Sequence, residues 1–170
     1  MKRPFALLGP VAAAMLVTAA CGSSNPYGAA PSAQASPAPT ASPVAVSPAT
    51  TGTEIQAGAS RLGQILVDSN GRTVYLFVAD SGATSSCNSA ACVQYWPPVL
   101  TAGAPSAGAG ANAALLGTTQ RKDGRTQVTY AGHPLYYFIT DKKPGDVTGQ
   151  GIDGFGGPWY VVSPNGTRIQ

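Results

Sequence analysis

Histidine, methionine and cysteine are scarce in this chain of 170 residues, which has one His, two Met and three Cys. Met1 and Met15 both lie near the N-terminus, so the remainder of the chain has no thioether ligand. This excludes His–Met haem ligation and methionine-based copper binding within one mature chain. Only 10% of the residues are charged, and the cations form no basic stripe, so nucleic-acid binding is disfavoured.

Catalytic signatures are also missing. The chain has no Gly-x-Ser-x-Gly elbow, and His133 would be the only imidazole base for a nucleophile. The glycine-rich run GQGIDGFGG, residues 149–157, does not follow the strand-to-helix pattern of a phosphate-binding loop. The sequence therefore favours a protein that is not an enzyme and that uses no metal or cofactor.

The N-terminus has the layout of an export signal. Lys2 and Arg3 precede an apolar run that is shorter than the ~20 residues needed to span a bilayer. The run ends in Ala19-Ala20-Cys21, which resembles the bacterial lipobox, where the cysteine is acylated and the bond before it is cut. We therefore predict a signal peptide over 1–20 and a lipid anchor, including palmitate-type acyl chains, on Cys21. The mature protein would bind the cell membrane at its extracytoplasmic face.

The next segment, 21–58, is rich in Ala, Pro, Ser and Thr. Its prolines interrupt helices and strands, and its low apolar content cannot offset the entropy cost of ordering it. We predict a disordered spacer here and one folded domain over 59–170; a glycosylated stalk is an alternative for the spacer.

The sequence of the folded part is typical of β-hairpins, with short β-branched and aromatic runs separated by turn residues. We expect strands over 64–68, 72–79, 125–130, 134–140, 159–163 and 167–170. Asn70-Gly71 between two such runs predicts a type I′ turn. Helical periodicity is weak and is confined to 111–116. These patterns predict a small all-β domain of antiparallel hairpins, arranged as a sandwich or barrel.

A sequence repeat organises this domain. GRTVYLFVAD begins at Gly71 and GHPLYYFITD begins at Gly132, so Gly-x-x-x-Tyr-x-Phe-x-x-Asp occurs twice. Each Asp is followed by a polar or glycine-rich loop and then a tryptophan. We call 71–96 the first copy and 132–159 the second copy. The repeated residues are Tyr75, Phe77, Asp80 and Trp96 in the first copy, and Tyr136, Phe138, Asp141 and Trp159 in the second. We predict two pseudo-equivalent β-units around one core.

These motifs resemble a bacterial family of secreted-repeat lipoproteins that carry a repeated Tyr-x-aromatic-x-x-Asp motif. The resemblance covers 62–166 and includes the cysteine pair, the Trp-Pro-Pro run and the glycine-rich loop. It implies an exported β-domain of undefined biochemical role, and it assigns no catalytic residues.

The two remaining cysteines, Cys87 and Cys92, are expected to form a disulfide, because Cys21 is assigned to the anchor and the compartment is oxidising. A redox-active or metal-binding pair is the alternative, although the spacing is not Cys-x-x-Cys, and tetrahedral zinc would need further ligands. His133 follows a turn and is expected near the surface.

The repeated aspartates allow two interpretations. At a strand end, Asp80 and Asp141 can accept backbone N–H groups of the following loop, which is a structural role. The alternative is a pair of catalytic carboxylates, as in glycosidases, which would make the protein a cell-wall hydrolase. A calcium site built from Asp141, Asp146 and Asp153 is a further alternative.

The leading hypothesis is therefore a non-enzymatic, lipid-anchored module that binds an unknown envelope protein or small ligand. The alternatives are a redox, metal or haem-handling lipoprotein and the wall hydrolase. An aromatic surface around Tyr75, Trp96, Tyr136 and Trp159 is one candidate for the contact. The opposite strand face, formed by residues such as Leu76 and Tyr137, is another if the domain does not cover it.

Overall fold

The computed structural model describes residues 52–170. The predicted signal peptide, the lipidation site Cys21 and all but the last seven residues of the predicted spacer, 52–58, lie outside this range. Residues 52–170 contain nine short strands, one α-helix and one turn of 3-10 helix. The strands are β1 Glu54–Ser60, β2 Gly63–Asp68, β3 Tyr75–Phe77, β4 Ser106–Ala107, β5 Leu116–Gln120, β6 Thr126–Tyr130, β7 His133–Pro134, β8 Asp153–Gly154 and β9 Gly157–Val161; the helices are α1 Ala90–Tyr95 and the 3-10 turn Ala113–Leu115.

The strands form three sheets of three strands each, in the orders β2-β1-β4, β3-β9-β8 and β5-β6-β7. Every pairing is antiparallel except β1 with β4. The prediction of an all-β domain of antiparallel hairpins is confirmed, and within 52–170 the sheets do not close into one barrel. Further backbone hydrogen bonds connect the sheets, for example from Leu66 N in β2 to the carbonyl oxygen of Val162, which directly follows β9.

The folded part begins earlier than predicted. Strand β1 starts at Glu54, five residues before the expected boundary at Ala59, and pairs along its length with β2. Ile55 has no solvent exposure and packs in the core. Residues 54–58 are thus held by pairing with both β2 and β4 and by the buried Ile55, so the prediction of a spacer up to Gly58 is wrong over these residues.

The Asn70-Gly71 hairpin does not have the predicted type I′ turn. This turn needs two consecutive residues with positive φ. At Asn70-Gly71 only Gly71 has one, because the Asp68 carboxylate accepts the N–H groups of Asn70 and Arg72 and holds a different turn. Between β6 and β7, Ala131 and Gly132 have φ of 49° and 79°, and Tyr130 pairs with His133 across them.

Helix α1 was not predicted, because its six residues are too few to show helical periodicity. Ser89 caps it by accepting the N–H of Cys92. The weak helical pattern at 111–116 corresponds to the 3-10 turn.

The repeated strands lie between two hydrophobic cores. Tyr75 and Phe77 point to one side of their strand, whereas Val74 and Leu76 point to the other, as the period-two alternation predicts. We call the two sides the aromatic core and the aliphatic core. The aromatic core comprises Ile65, Val67, Tyr75, Phe77, Cys87, Cys92, Trp96, Tyr136, Phe138, Val147, Trp159 and Val161. The aliphatic core comprises Ile55, Leu66, Val74, Leu76, Val99, Val128, Tyr130, Leu135 and Val162.

None of the helices in 52–170 has the length and hydropathy required to cross a bilayer.

Candidate functional site

The two copies of the repeat meet at their tyrosines. Tyr75 and Tyr136 face each other across an antiparallel bridge, with N–H to O=C distances of 2.8 and 3.0 Å in the two directions. The Tyr75 hydroxyl donates to Asp141 Oδ2 at 2.6 Å, and the Tyr136 hydroxyl donates to Asp80 Oδ2 at 2.8 Å. Each tyrosine therefore binds the aspartate of the other copy. We call these two hydrogen bonds the crossed braces.

The second oxygen of each aspartate holds the loop that follows it. Asp80 Oδ1 accepts the N–H of Ser86 at 2.7 Å, and Asp141 Oδ1 accepts the N–H of Thr148 at 2.9 Å. This is the structural role expected from sequence, since a strand-end carboxylate can satisfy backbone donors in the next loop. Both oxygens of each carboxylate are thus committed to the scaffold.

Burial changes the acidity of these groups. It raises the pKa of both Tyr75 and Tyr136 well above their usual range, and the neighbouring carboxylates add to the effect. Burial also raises the pKa of Asp80, against the opposing hydrogen bonds from Ser86 and Tyr136. The tyrosines stay protonated at neutral pH and remain hydrogen-bond donors.

The aromatic residues of the two copies alternate in one stack. Phe77 lies on Trp159 with ring centroids 3.9 Å apart, Trp159 lies on Trp96 at 4.0 Å, and Trp96 lies on Phe138 at 4.2 Å. The interplanar angles are 6°, 4° and 28° in the same order. The order is first copy, second copy, first copy, second copy, so neither copy could form this stack alone.

The edges of the tyrosines complete the arrangement. Tyr75 packs edge-on to Trp96 at 5.4 Å, and Tyr136 packs edge-on to Trp159 at 5.1 Å. Aromatic pairs with such geometry add stabilisation beyond the area that they bury. Gly149 is in contact with the end of the stack, because a Cβ there would lie 2.8 Å from Trp96 and 3.0 Å from Phe138.

The aromatic rings proposed as a binding surface are not exposed to solvent. Tyr75, Trp96, Tyr136 and Trp159 are at most 1% exposed, so the hypothesis of a binding surface around them is wrong. The alternation that places them on one strand face also places them in the core. Their repetition reflects a scaffold that is built twice.

The opposite strand face is also covered by the protein itself. Leu76 and Leu135 are buried in the aliphatic core, and Tyr137 is half-buried with its hydroxyl donating to Asp68 at 3.0 Å. Of the apolar residues on this face in 74–78 and 135–139, only Val78 and Ile139 are exposed. The second face therefore offers no large open apolar surface.

A buried arginine lies beside the crossed braces. Arg121 donates to Gln127 Oε1 at 2.5 Å, to Ser85 Oγ at 3.0 Å and to the carbonyl oxygen of Cys87 at 2.7 Å. Ser85 Oγ is in turn 2.8 Å from the Tyr136 hydroxyl. Arg121 Nε has no hydrogen-bond partner in the described range, and Asp123 Oδ2 lies 3.6 Å from it. Sequence reasoning did not identify Arg121, because nothing in Gln-Arg-Lys-Asp distinguishes a buried arginine from an exposed one.

Cys87 and Cys92 form a disulfide, as predicted, which joins the segment before helix α1 to a residue within the helix. Both cysteines are buried in the aromatic core. Since Cys87 also supplies a carbonyl to Arg121, the disulfide fixes one end of the polar network.

The remaining candidate residues do not come together. Asp146 accepts the N–H groups of Lys142 and Lys143, which lowers the pKa of its carboxyl, and Asp141 is committed as described. No group of three His, Cys, Asp or Glu residues in 52–170 is placed to hold a metal ion. Asp141, Asp146 and Asp153 therefore do not form the calcium site that was the alternative prediction. His133 is half-buried in strand β7.

Two exposed aromatic residues form a feature that sequence reasoning missed. Tyr95, at the end of α1, and Phe155, in the β8–β9 turn, have ring centroids 6.2 Å apart. They are 51% and 46% exposed. Beside them is a cavity of about 210 Å³, lined by Tyr95, Trp96, Phe138, Ile152, Asp153, Gly154 and Phe155. A phenylalanine among glycines in Gly-Phe-Gly-Gly is the only sequence signal for it.

The crossed braces and the alternating stack define the class of the molecule: a duplicated β-domain in which two copies of one motif share a single aromatic core. The chain belongs to the family described as a secreted repeat of unknown function. The sequence model of this family matches residues 57–100 and 117–163, together more than half of the chain. The two matches contain the two Tyr-x-Phe-x-x-Asp motifs. No curated protein and no solved structure matches the chain.

Proposed function

We propose that this protein is a lipid-anchored, non-enzymatic module at the extracytoplasmic face of the cell membrane, where it binds an envelope protein or a small ligand. Membership of a secreted family supports an extracellular location. The lipobox-like Ala19-Ala20-Cys21 supports the anchor. The 21–51 segment then acts as a spacer between the anchor and the domain.

The crossed braces are the observation that carries the non-enzymatic part of the proposal. A pair of catalytic carboxylates needs oxygens that are free to meet substrate and water. Both oxygens of Asp80 and of Asp141 are instead used by a tyrosine and by a loop N–H. The residues that the sequence repeats are therefore committed to holding the fold.

Membrane fractionation tests the anchor. Wild-type protein should remain in the membrane fraction and incorporate labelled palmitate, whereas Cys21→Ala should be released into the medium without label. The double variant Cys87→Ala/Cys92→Ala is the matched control: it removes the other two cysteines and should stay in the membrane. If the wild type incorporates no label, or Cys21→Ala incorporates as much as the wild type, the lipid anchor is wrong.

A further inference from the structure

The exposed pair Tyr95 and Phe155 lies where the two copies of the repeat differ most. Between its aspartate and its tryptophan, the first copy has helix α1 with the disulfide, whereas the second copy has a glycine-rich segment and the β8–β9 hairpin. The crossed braces and the aromatic stack contain neither Tyr95 nor Phe155. The pair is therefore not explained by the shared scaffold.

Phe155 has an unfavourable backbone conformation. Its φ is 60° and that of Gly156 is 104°, and the two residues connect the paired positions Gly154 and Gly157. Two-residue turns with two positive φ angles favour Asn, Asp or Gly, and a bulky residue in this region is an outlier. Such strain clusters at ligand clamps and other functional sites. Here the strain presents an aromatic ring to solvent next to a second one.

The cavity beside this pair has an apolar floor and a single charged residue. Its apolar lining includes Ile152 and the mostly buried rings of Trp96 and Phe138, and Asp153 is the charged residue. Asp153 is exposed, and among residues 52–170 its carboxylate forms no ion pair within 4 Å. No Lys, Arg or His lines the cavity. An unpaired carboxylate beside aromatic rings is complementary to a cation with an apolar surface.

We propose that this cavity binds a small organic cation, namely the quaternary ammonium group of a soluble choline-type compound. The faces of Tyr95 and Phe155 would attract the positive charge, and Asp153 would neutralise it. A quaternary ammonium has no N–H donor that burial would leave unsatisfied, so it suits an apolar floor. At about 210 Å³ the cavity is below the usual size for drug-sized ligands and fits a group of this size. The inference rests on the proposed binding role of the domain.

Calorimetric titration of the full-length chain with choline chloride tests the proposal. The neutral isostere of choline, 3,3-dimethyl-1-butanol, is the control ligand because it has the same shape without the charge. We expect saturable choline binding with Kd on the order of 1 mM or tighter, and binding of the isostere that is at least about tenfold weaker. The membrane anchor is tested separately by fractionation, so failure here would leave that result unaffected.

Three variants locate the site. Phe155→Asn and Tyr95→Ala should each weaken choline binding by about tenfold, and Asp153→Asn by about threefold. Phe155→Asn should also raise Tm, because asparagine is favoured at this position of the turn. Val78→Ala, at an exposed apolar position outside the cavity, and Glu54→Gln, which also removes an acidic residue outside the cavity, are the matched controls and should bind as the wild type does.

Three results would overturn the proposal. The first is the absence of saturable choline binding to the wild type. The second is equal affinity for choline and its neutral isostere, which would mean that charge is not recognised. The third is unchanged binding by Phe155→Asn when Tm shows that the variant is folded.

Discussion

The two copies of the repeat agree in their strands and differ in their loops. Both contribute a tyrosine and an aspartate to the crossed braces, and a phenylalanine and a tryptophan to the stack. After the aspartate, however, the first copy continues into a disulfide-bonded helix, and the second continues into a glycine-rich hairpin. The residues that the copies share form the scaffold, because each copy must supply its half of the crossed braces and of the aromatic stack. The differences mark the places that are free to acquire a function.

The polar surroundings of the braces are unequal in the same way. Tyr136 belongs to a buried network that reaches Arg121 through Ser85. Tyr75 is instead approached by the N–H of Gly149 at 3.3 Å, without a buried cation. The braces are thus equivalent in their hydrogen bonds and different in their electrostatic environment.

The largest effects are expected at the shared stack. Trp96→Ala and Trp159→Ala should each lower the free energy of unfolding by about 3–5 kcal/mol, because each leaves a cavity between two stacked rings. Urea unfolding measures both. Equal costs would confirm that the two copies are energetically equivalent, and a cost below about 1 kcal/mol for either variant would show that its ring is not part of the core.

Removal of the buried arginine should have the second-largest effect on the free energy of unfolding. Arg121→Met should cost about 2–3 kcal/mol, since it leaves Gln127, Ser85 and the Cys87 carbonyl without their donor. Arg125→Met is the control, because Arg125 is exposed and pairs only with Asp123 at the surface. The control should change stability by less than about 1 kcal/mol. A similar small change for Arg121→Met would mean that its network contributes little.

Loss of the disulfide should have a smaller effect. Cys87→Ala/Cys92→Ala should lower the free energy of unfolding by about 2 kcal/mol or less, because the bond closes a short loop. Hydrogen exchange should show the opening confined to residues near α1. Global loss of protection would instead indicate that the first copy depends on the disulfide for its fold.

The smallest effect is a pH dependence at Asp80. Burial raises the pKa of this carboxyl above its usual 3.8, so the ionised form destabilises the fold at higher pH, and the penalty disappears as pH falls through the raised pKa. Asp80→Asn removes the ionisable group. Its cost in unfolding free energy should therefore be smaller at about pH 7 than at about pH 4. A cost that increases with pH would contradict the direction of this shift.

The strand pattern could be predicted from sequence because it depends on neighbouring residues. Alternation placed Tyr75 and Phe77 on one face, and the repeat placed Tyr136 and Phe138 equivalently. Glycines marked most turns, although at Gly71 the Asp68 carboxylate selected another turn type. Such local signals were enough to predict the fold class and the two copies, and the cysteine count predicted the disulfide.

The features that the sequence did not predict depend on contacts between distant segments. The repeat gave no indication that each tyrosine would bind the aspartate of the other copy. Arg121 is buried against Ser85 and Cys87 of the first copy, which accept its hydrogen bonds. Tyr95 and Phe155 likewise become neighbours through packing across the two loops. Neither the composition nor the hydrophobic periodicity of a sequence indicates which distant segments will come into contact.

Double-mutant cycles on the crossed braces test the central claim most directly. Tyr75→Phe with Asp141→Asn, and Tyr136→Phe with Asp80→Asn, should each show a coupling energy of about 0.5–3 kcal/mol in urea unfolding. The pairs within one copy, Tyr75→Phe with Asp80→Asn and Tyr136→Phe with Asp141→Asn, should be additive to within about 0.5 kcal/mol. Coupling within the copies together with additivity between them would contradict the crossed arrangement.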